Sequence, residues 1–294
     1  MDDLIFTPAA KRHVDPWAYV FLAPALALLA LFLFYPAVWI VFSSLSHEAG
    51  HSSVSAWINE LESPSFWRAI LNTMYFGAIY VPGSIVIGYV LARLISQHNR
   101  MRWLLVILFF LPVLLPSAAM GLVWRWMYNP DTGMINNLLS LAGYPAVDWL
   151  KDSHLALPAI AVACVWQGAG LVAAILVVAI WAVPREFGEM ATLDGAGGWR
   201  RLIHVDLPSV KPALVVSILL LVINALRIFA SILVMTGDGG PGNWTTNLSF
   251  LVYRKWMKEF DLGGAAVLSI VLCFSIILMV VLLHRHPVRG RESQ

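Results

Sequence analysis

Three polar side chains lie inside stretches that are otherwise almost entirely apolar. Gln167 follows Trp166 in one apolar block, while Asn224 and Arg227 lie three residues apart in another, which places them on one face of a helix. Polar groups inside such segments are costly and are therefore candidates for function. With the rings of Trp166 and Phe229, they predict a site that binds a polyol through amide, guanidinium and aromatic contacts.

Each of these residues also has a plainer interpretation. Arg227 could lie near a membrane surface and extend its side chain to water, or pair with an acid of a partner subunit. Asn224 and Gln167 could join neighbouring helices, since amide hydrogen bonds are common in membrane bundles. A phosphate-bearing substrate would need more cations than Arg125 or Arg227 supplies. The pattern therefore leaves the ligand open.

The sequence does not favour an enzyme. Neither the phosphate-binding pattern GxxxxGK[ST] nor the nucleophile pattern GxSxG occurs, so the chain cannot hydrolyse ATP with a P-loop of its own. The cysteines, Cys164 and Cys273, lie in apolar blocks and predict packing rather than a disulfide or a metal site. His284 and His286 belong to a basic tail. We expect no metal or cofactor bound by this chain.

The apolar blocks that carry these residues predict an all-α integral membrane protein. Of the 294 residues, 60% are hydrophobic and 12% are charged, whereas soluble domains have about 25% charged residues. Each block exceeds the ~20 residues that cross a bilayer as a helix. The six predicted spans are Trp17–Phe42, Phe66–Leu94, Trp103–Met127, Leu155–Val183, Ala213–Met235 and Leu262–Leu283. Prolines within them predict kinks or local breaks, at Pro24, Pro36, Pro82, Pro112, Pro116 and Pro158.

The distribution of Lys and Arg predicts that both termini are cytoplasmic. The loop over residues 43–62 has no Lys or Arg and is expected outside. Arg254, Lys255 and Lys258 are the exception, because they fall in the last outside loop. The expected organisation is a cytoplasmic segment over residues 1–16, a six-helix domain over residues 17–283 and a basic tail over residues 284–294. A net charge of +2 is too small to suggest nucleic-acid binding.

The predicted cytoplasmic loop over residues 183–212 has a design of its own. Pro184 can begin a short amphipathic helix, and Gly195 can end it in the left-handed conformation. A second short helix through Trp199 to Val205 would follow, before Pro208 opens the fifth span. The predicted contact surface for a cytoplasmic partner consists of Glu189, Met190, Ala191, Leu193, Asp194, Gly195 and Ala196.

This loop resembles the EAA loop in permease subunits of bacterial ATP-binding-cassette (ABC) importers. The sequence Glu189-Met190-Ala191, then Gly195, then Val205-Asp206-Leu207-Pro208 has the spacing of that motif. In the family the loop forms a coupling helix that docks into a cleft of the ATPase subunit, with the glycine at the turn. Met190 replaces the usual Ala, a change of bulk that would adjust the fit.

Further stretches resemble the carbohydrate branch of these importers, which includes the maltose and glycerol-phosphate permeases. They are Leu111-Pro112 to Pro116, then Trp124-Arg125-Trp126, Asn129-Pro130, Gly133 and Asn136, the loop Thr236-Gly237-Asp238-Gly239-Gly240-Pro241, and Asp261-Leu262-Gly263 to Ser269. The loop differs from the family's TGGGP by Asp238. The resemblance covers residues from about Trp17 to Leu283. Unlike the maltose permease, this chain has no large domain between its early spans.

The resemblance implies the permease fold of type I ABC importers in the bacterial cytoplasmic (inner) membrane. It further implies a second homologous permease, two cytoplasmic ATPase subunits that bind ATP and Mg²⁺, and an extracytoplasmic solute-binding protein. The transported solute would be a sugar or related polyol. A competing hypothesis is a secondary transporter driven by an ion gradient, but such proteins often carry an intramembrane acid, and none lies near the middle of a predicted span.

Overall fold

Every regular element in the described part of the chain is helical. The computed structural model describes residues 16–45, 53–97, 102–183, 190, 200 and 202–285. The first half contains α1 (Pro16–Leu29), a π-helical segment (Ala30–Phe34), α2 (Tyr35–Leu45), α3 (Ser53–Glu62), α4 (Pro64–Gln97), α5 (Arg102–Leu114), α6 (Ser117–Met127) and α7 (Met134–Leu141). The second half contains α8 (Ala156–Ala182), a π-helical segment (Leu202–Asp206), α9 (Leu207–Ser209), α10 (Lys211–Arg227), α11 (Ala230–Thr236), a 3₁₀ turn (Pro241–Asn243), α12 (Leu248–Met257) and α13 (Leu262–Arg285).

The number of membrane spans is four, or up to six if each bent helix pair is one span. The segments Tyr19–Leu45, Pro64–Gln97, Ala156–Ala182 and Leu262–Leu283 are long and apolar enough to cross a bilayer alone. Two further candidates are helix pairs, each bent at a break. The sequence therefore locates the apolar segments correctly, and the bent pairs fall at the predicted third and fifth spans.

Helix α8 forms the centre of the bundle because its small residues let neighbouring helices approach closely. Most of its side chains between Ala156 and Val177 are buried, and α4 packs along it. A Cβ atom added to Gly88 of α4 would lie 2.6 Å from Cβ of Val172. A Cβ atom added to Gly170 would lie 2.2 Å from the carbonyl oxygen of Phe109 in α5. Such close contacts are the usual basis of helix association in membranes, where burial in lipid gives little driving force.

The predicted third span is divided into two helices by a sharp bend. Val106–Leu114 and Ser117–Met127 meet at 112°. Pro116 lies at the bend with an extended backbone, and it has no N–H group to continue the helix. The expected kink or break is thus confirmed at Pro116, while Pro112 lies inside α5. Pro24 and Pro82, in contrast, lie inside continuous helices.

The predicted fifth span is also interrupted. It begins as α10 at Lys211 rather than at Pro208, which lies in the short helical turn α9. The helical segment Leu202–Ser209 meets α10 at 67°. Beyond Arg227 the backbone becomes extended at Ile228, and α11 starts at Ala230. Of the second loop helix expected over Trp199–Val205, the structure shows helical residues from Leu202 onward, and Trp199 lies outside the described residues.

The basic residues that disturbed the charge pattern are held in ion pairs. Lys255 contacts Glu60 of α3, and its Nζ lies 3.1 Å from Asp261 and 3.4 Å from Glu259. Nε of Arg254 lies 3.3 Å from Glu259. Burial lowers the pKa of Lys255, but hydrogen bonds and charge from Glu60 and Asp261 prevail, so that its pKa is raised above the ordinary value.

Lys258 is paired as well. Its Nζ lies 2.6 Å from Asp238 at the exposed surface, and hydrogen bonding to that carboxylate raises the pKa of Lys258. All three basic residues of this segment are therefore matched by acids. The ion pairs neutralise these basic residues locally and so explain how the protein tolerates them in an outside loop. They do not alter the positive-inside rule, which counts Lys and Arg rather than net charge.

Candidate substrate cavity and coupling segment

The bent third span and the broken fifth span enclose one side of a cavity of about 510 Å³. Its other walls come from α4 and α8. Polar lining residues are Tyr80, Ser117, Cys164, Gln167, Asn224, Arg227 and Ser231. The remaining lining residues are Phe76, Val113, Leu115, Pro116, Gly168, Leu171, Ile228, Phe229 and Ala230. The volume lies in the range of small-molecule sites, about 300–1,000 Å³.

Gln167 supports the bend of the third span. Its Nε2 donates to the carbonyl oxygens of Pro112 at 3.0 Å and Leu115 at 2.8 Å. Pro116 cannot donate a backbone hydrogen bond, and in a membrane no water replaces the missing donor. The amide of Gln167 therefore supplies the hydrogen-bond donors that the interrupted helix lacks. Its Oε1 atom is not needed for these bonds and can face the cavity.

A second amide supports the break of the fifth span. Nδ2 of Asn247 donates to the carbonyl oxygen of Ile228 at 2.6 Å. Its side-chain oxygen accepts from the backbone N–H of Phe250 at 2.8 Å and so caps α12. Asn247 is fully buried. Asn247 was not among the predicted site residues, although Asn immediately before an apolar run is a typical N-cap pattern.

Asn224 and Arg227 lie together in the last turn of α10, as their spacing predicts, and both line the cavity. The Asn224 side chain interacts with the hydroxyl of Tyr80 on α4. Tyr80 stacks on Phe76 four residues earlier, with ring centroids 5.3 Å apart. Tyr80 and Phe76 were not among the predicted site residues. Their spacing of four, which places both rings on one helix face, is the pattern that could have indicated an aromatic wall.

Phe229 and Trp166 have different positions. Phe229 lines the cavity at the break and packs against Tyr253, with centroids 4.8 Å apart. Trp166 does not line the cavity, because its ring packs edge-on against Trp124, 6.0 Å away. The structure thus brings together Gln167, Asn224, Arg227 and Phe229 of the predicted cluster but places Trp166 behind them.

The floor of the cavity depends on a glycine of α8. A Cβ atom added to Gly168 would lie 2.5 Å from Oγ of Ser84 and 3.0 Å from the hydroxyl of Tyr80. Any larger residue there would displace Tyr80 from the cavity wall. Gly168 therefore fixes the position of the hydroxyl that meets Asn224.

Most of the predicted coupling surface lies outside the described residues. This applies to Glu189, Ala191, Leu193, Asp194, Gly195 and Ala196, so their role stays a prediction. Met190 is described and is 60% exposed. Farther along, Asp206 of the Val205-Asp206-Leu207-Pro208 stretch forms an ion pair with Arg93 near the end of α4, at 3.2 Å. This pair joins the end of the loop to the helix that packs on α8.

The loop after α6 shows why its residue types are required. Asn136 is buried and donates to the carbonyl oxygens of Asn129 and Val147, while its Oδ1 accepts from Val147 and Trp149. A Cβ atom on Gly133 would lie 2.3 Å from the Asn129 carbonyl oxygen. These residues therefore organise a loop and have no contact with the cavity.

The sequence also contains one pattern with the spacing of zinc-binding histidines. His47-Glu48-Ala49-Gly50-His51 has the HExxH spacing, which places two zinc ligands together only when the segment is helical. These residues lie outside those described. Within the described residues, no group of three or more His, Cys, Asp and Glu side chains could hold a metal ion.

Broken helices beside a polar cavity in a membrane bundle are typical of transport proteins. The chain belongs to the family of binding-protein-dependent transport system inner membrane components, whose family model matches residues 84–287. It is therefore a permease subunit of the inner membrane, as the resemblance of its motifs implied. Permeases of this family are non-enzymatic membrane subunits.

Named relatives share nearly the whole chain. The sulfoquinovosyl glycerol transport system permease protein SmoG of Agrobacterium fabrum is 29% identical, over 94% of this chain and 91% of the relative. The lactose transport system permease protein LacF of Rhizobium radiobacter is 30% identical, over 91% of this chain and 93% of the relative.

The fold matches a solved structure as well. A chain in the crystal structure of a bacterial alginate ABC transporter, in complex with a periplasmic protein that holds an alginate pentasaccharide, superposes with a TM-score of 0.81 at 20% identity. The match covers 93% of this chain and 94% of that chain. The type I permease fold expected from the sequence is thereby confirmed at the level of the architecture.

Proposed function

We propose that this chain is one transmembrane subunit of an ATP-driven importer that moves a sugar or related polyol across the cytoplasmic membrane. The observation that carries the proposal is the cavity, in which two amides, hydroxyl groups, a guanidinium and the rings of Phe76 and Phe229 converge. Polyols are bound by such combinations of ring faces and hydrogen-bonding groups. Relatives named for a sulfoquinovosyl glycerol and a lactose transport system support the same class of substrate.

The assembly we propose contains this chain, a second homologous permease, two cytoplasmic ATPase subunits and an extracytoplasmic solute-binding protein. ATP and Mg²⁺ belong to the ATPase subunits. Both termini of this chain are cytoplasmic, and the spans number six when each bent pair is counted as one. In this orientation the cluster around Lys255 and Glu60 lies outside, where the solute-binding protein docks.

Coupling is mechanical in this proposal. Closure of the ATPase pair moves the loop from Glu189 to Gly195, and the motion reaches the bundle through the covalent link to α10 and through the Arg93–Asp206 ion pair. Since α4 packs along α8, the Arg93–Asp206 ion pair transmits the displacement to both of these helices, which form two walls of the cavity. The cavity then changes from inward-facing to outward-facing.

The alternative of a secondary transporter loses its support. No Asp or Glu is among the residues that line the cavity, whereas proton- and ion-coupled transporters often use an intramembrane acid. The family to which the chain belongs uses a binding protein. Its motifs for coupling to an ATPase would have no role in an ion-driven mechanism.

Gentle extraction from the native membrane, followed by mass spectrometry of the proteins that co-purify, tests the assembly. We expect an ATPase, a second permease of similar size and a solute-binding protein. A chain that purifies alone and still transports solute in vesicles without ATP would refute the proposal.

The coupling loop is tested by Gly195→Asp in the reconstituted complex. The added charge should abolish ATP-dependent uptake but leave membrane insertion intact. Gly143→Asp is a matched control, because a side chain at Gly143 meets nothing within 4 Å and Asp tolerates its left-handed backbone. Normal uptake by Gly195→Asp would remove this loop from the mechanism.

A further inference from the structure

Among the described residues that line the cavity, one carries a full charge and no acid accompanies it. Arg227 is the one ionisable group of full charge among the lining residues, since Tyr80 and Cys164 are neutral at ordinary pH. In the described part of the chain, the ion pairs join Arg93, Lys151, Arg254, Lys255 and Lys258 to acids, and Arg227 is absent from them. Arg227 is exposed and lines the cavity, so its guanidinium is accessible to a ligand there.

Two helix dipoles also act on the cavity, one at the end of α10 and one at the start of α6. Arg227 lies in the last turn of α10, where the helix dipole provides about half a negative charge. The start of α6 also borders the cavity, at Leu115, Pro116 and Ser117, and no side chain caps its first N–H groups. This helix end contributes about half a positive charge. The two helix ends cancel to a first approximation, and the charge of Arg227 remains.

Arg227 is exposed where it lines the cavity, and a solute that displaces water from it would leave a costly unpaired cation unless the solute is itself anionic. The cost is recovered when the ligand brings the missing anion, because guanidinium and carboxylate form paired, charge-assisted hydrogen bonds. The remaining walls are suited to the neutral part of such a ligand, since they offer ring faces at Phe76 and Phe229 and amide groups at Gln167 and Asn224. One guanidinium matches one negative charge, whereas a phosphate dianion would need further cations.

We infer that the transported solute is an acidic saccharide, a sugar or polyol with a single carboxylate or sulfonate group that binds Arg227 in this cavity. The inference rests on the proposed function and names the class of its substrate. Arg227 selects the anionic group, while the amides and rings orient the rest of the molecule.

The test uses the complete transporter in proteoliposomes, with the solute-binding protein outside and ATP supplied to the ATPase side. The probes are offered as one mixture of matched pairs: maltose with its singly C6-oxidised uronate, galactobiose with galacturonosyl-galactose, and glucosyl glycerol with its C6 sulfonate. Accumulated solutes are identified by mass spectrometry. The variants are Arg227→Gln, Arg227→Lys and, as a matched control outside the cavity, Lys151→Gln.

We expect accumulation of acidic members only, a loss of at least tenfold in their uptake for Arg227→Gln, partial recovery for Arg227→Lys and no change for Lys151→Gln. Accumulation of neutral members would overturn the acidic class while leaving the importer function intact, and it would point to an acid of the partner permease beside Arg227. Uptake of acidic members that is unaffected by Arg227→Gln would overturn the role of Arg227. Absence of ATP-dependent accumulation of every probe would overturn both the inference and the proposed function on which it rests.

Discussion

Replacing Gln167 by Met keeps the length of the side chain but removes the amide that holds the bend of the third span. The carbonyl oxygens of Pro112 and Leu115 then lose donors at 3.0 and 2.8 Å. Side-chain hydrogen bonds in membrane proteins contribute about 0.6 to 1.7 kcal/mol each, so the loss of both costs about 1 to 3 kcal/mol. For a chain of this size each kcal/mol lowers Tm by about 2–4 °C. We expect Tm to fall by about 2 to 12 °C.

The assay is thermal unfolding of the detergent-solubilised complex, followed by tryptophan fluorescence at one fixed scan rate because such unfolding is irreversible. Gln97→Met is the control, since Gln97 is exposed at the end of α4 and a surface substitution there changes stability by about 0.5 kcal/mol or less. Equal Tm values for both variants would refute the structural role of Gln167. A variant of unchanged Tm that transports poorly would instead assign Gln167 to the substrate.

Two further predictions concern packing and charge. Gly88→Ala should destabilise the complex by about 1 to 2 kcal/mol because its Cβ atom would clash with Val172. Gly77→Ala is the control, and it should be neutral or slightly stabilising because the nearest neighbour of its Cβ atom lies at 3.9 Å. Equal effects of the two substitutions on stability would refute close packing of α4 on α8. Lys255→Met should cost about 2 kcal/mol, less than the ~3–5 kcal/mol of a fully buried pair because its side chain is 19% exposed. Since the pKa of Lys255 is raised, its contribution is complete below its unfolded pKa of about 10.4 and is lost only as pH rises through the folded value. The difference in Tm should therefore be the same at about pH 7 and about pH 9, and a difference that vanishes within this range would contradict the pairing.

The sequence predicted the positions of the apolar segments well because the bilayer imposes a length and a composition that tertiary contacts do not override. It predicted less well where a span is interrupted. Pro116 indicated a break, but only the partner amide of Gln167, 51 residues later in the sequence numbering, makes a bend of 112° stable. The break at Ile228 has no proline, and its support comes from Asn247.

For the cavity, the rule that polar residues inside spans are functional candidates identified Gln167, Asn224 and Arg227, all of which line it. The rule could not distinguish a residue that faces the cavity from one that faces a neighbouring helix. Trp166 is adjacent to Gln167 yet packs against Trp124, because neighbours on a helix point about 100° apart. Tyr80 was missed since an aromatic residue in an apolar helix is unremarkable until the partner helix is known.

The pairing of Glu60 with Lys255 has a consequence for biogenesis. Glu60 is made early, in α3, and is buried, whereas Lys255 and Asp261 belong to the last part of the chain. During synthesis the carboxylate of Glu60 therefore has no Lys255 to pair with until almost the whole protein has been inserted. A chain that stops before α12 lacks Lys255 and therefore leaves the carboxylate of Glu60 without the counter-charge that it has in the complete fold.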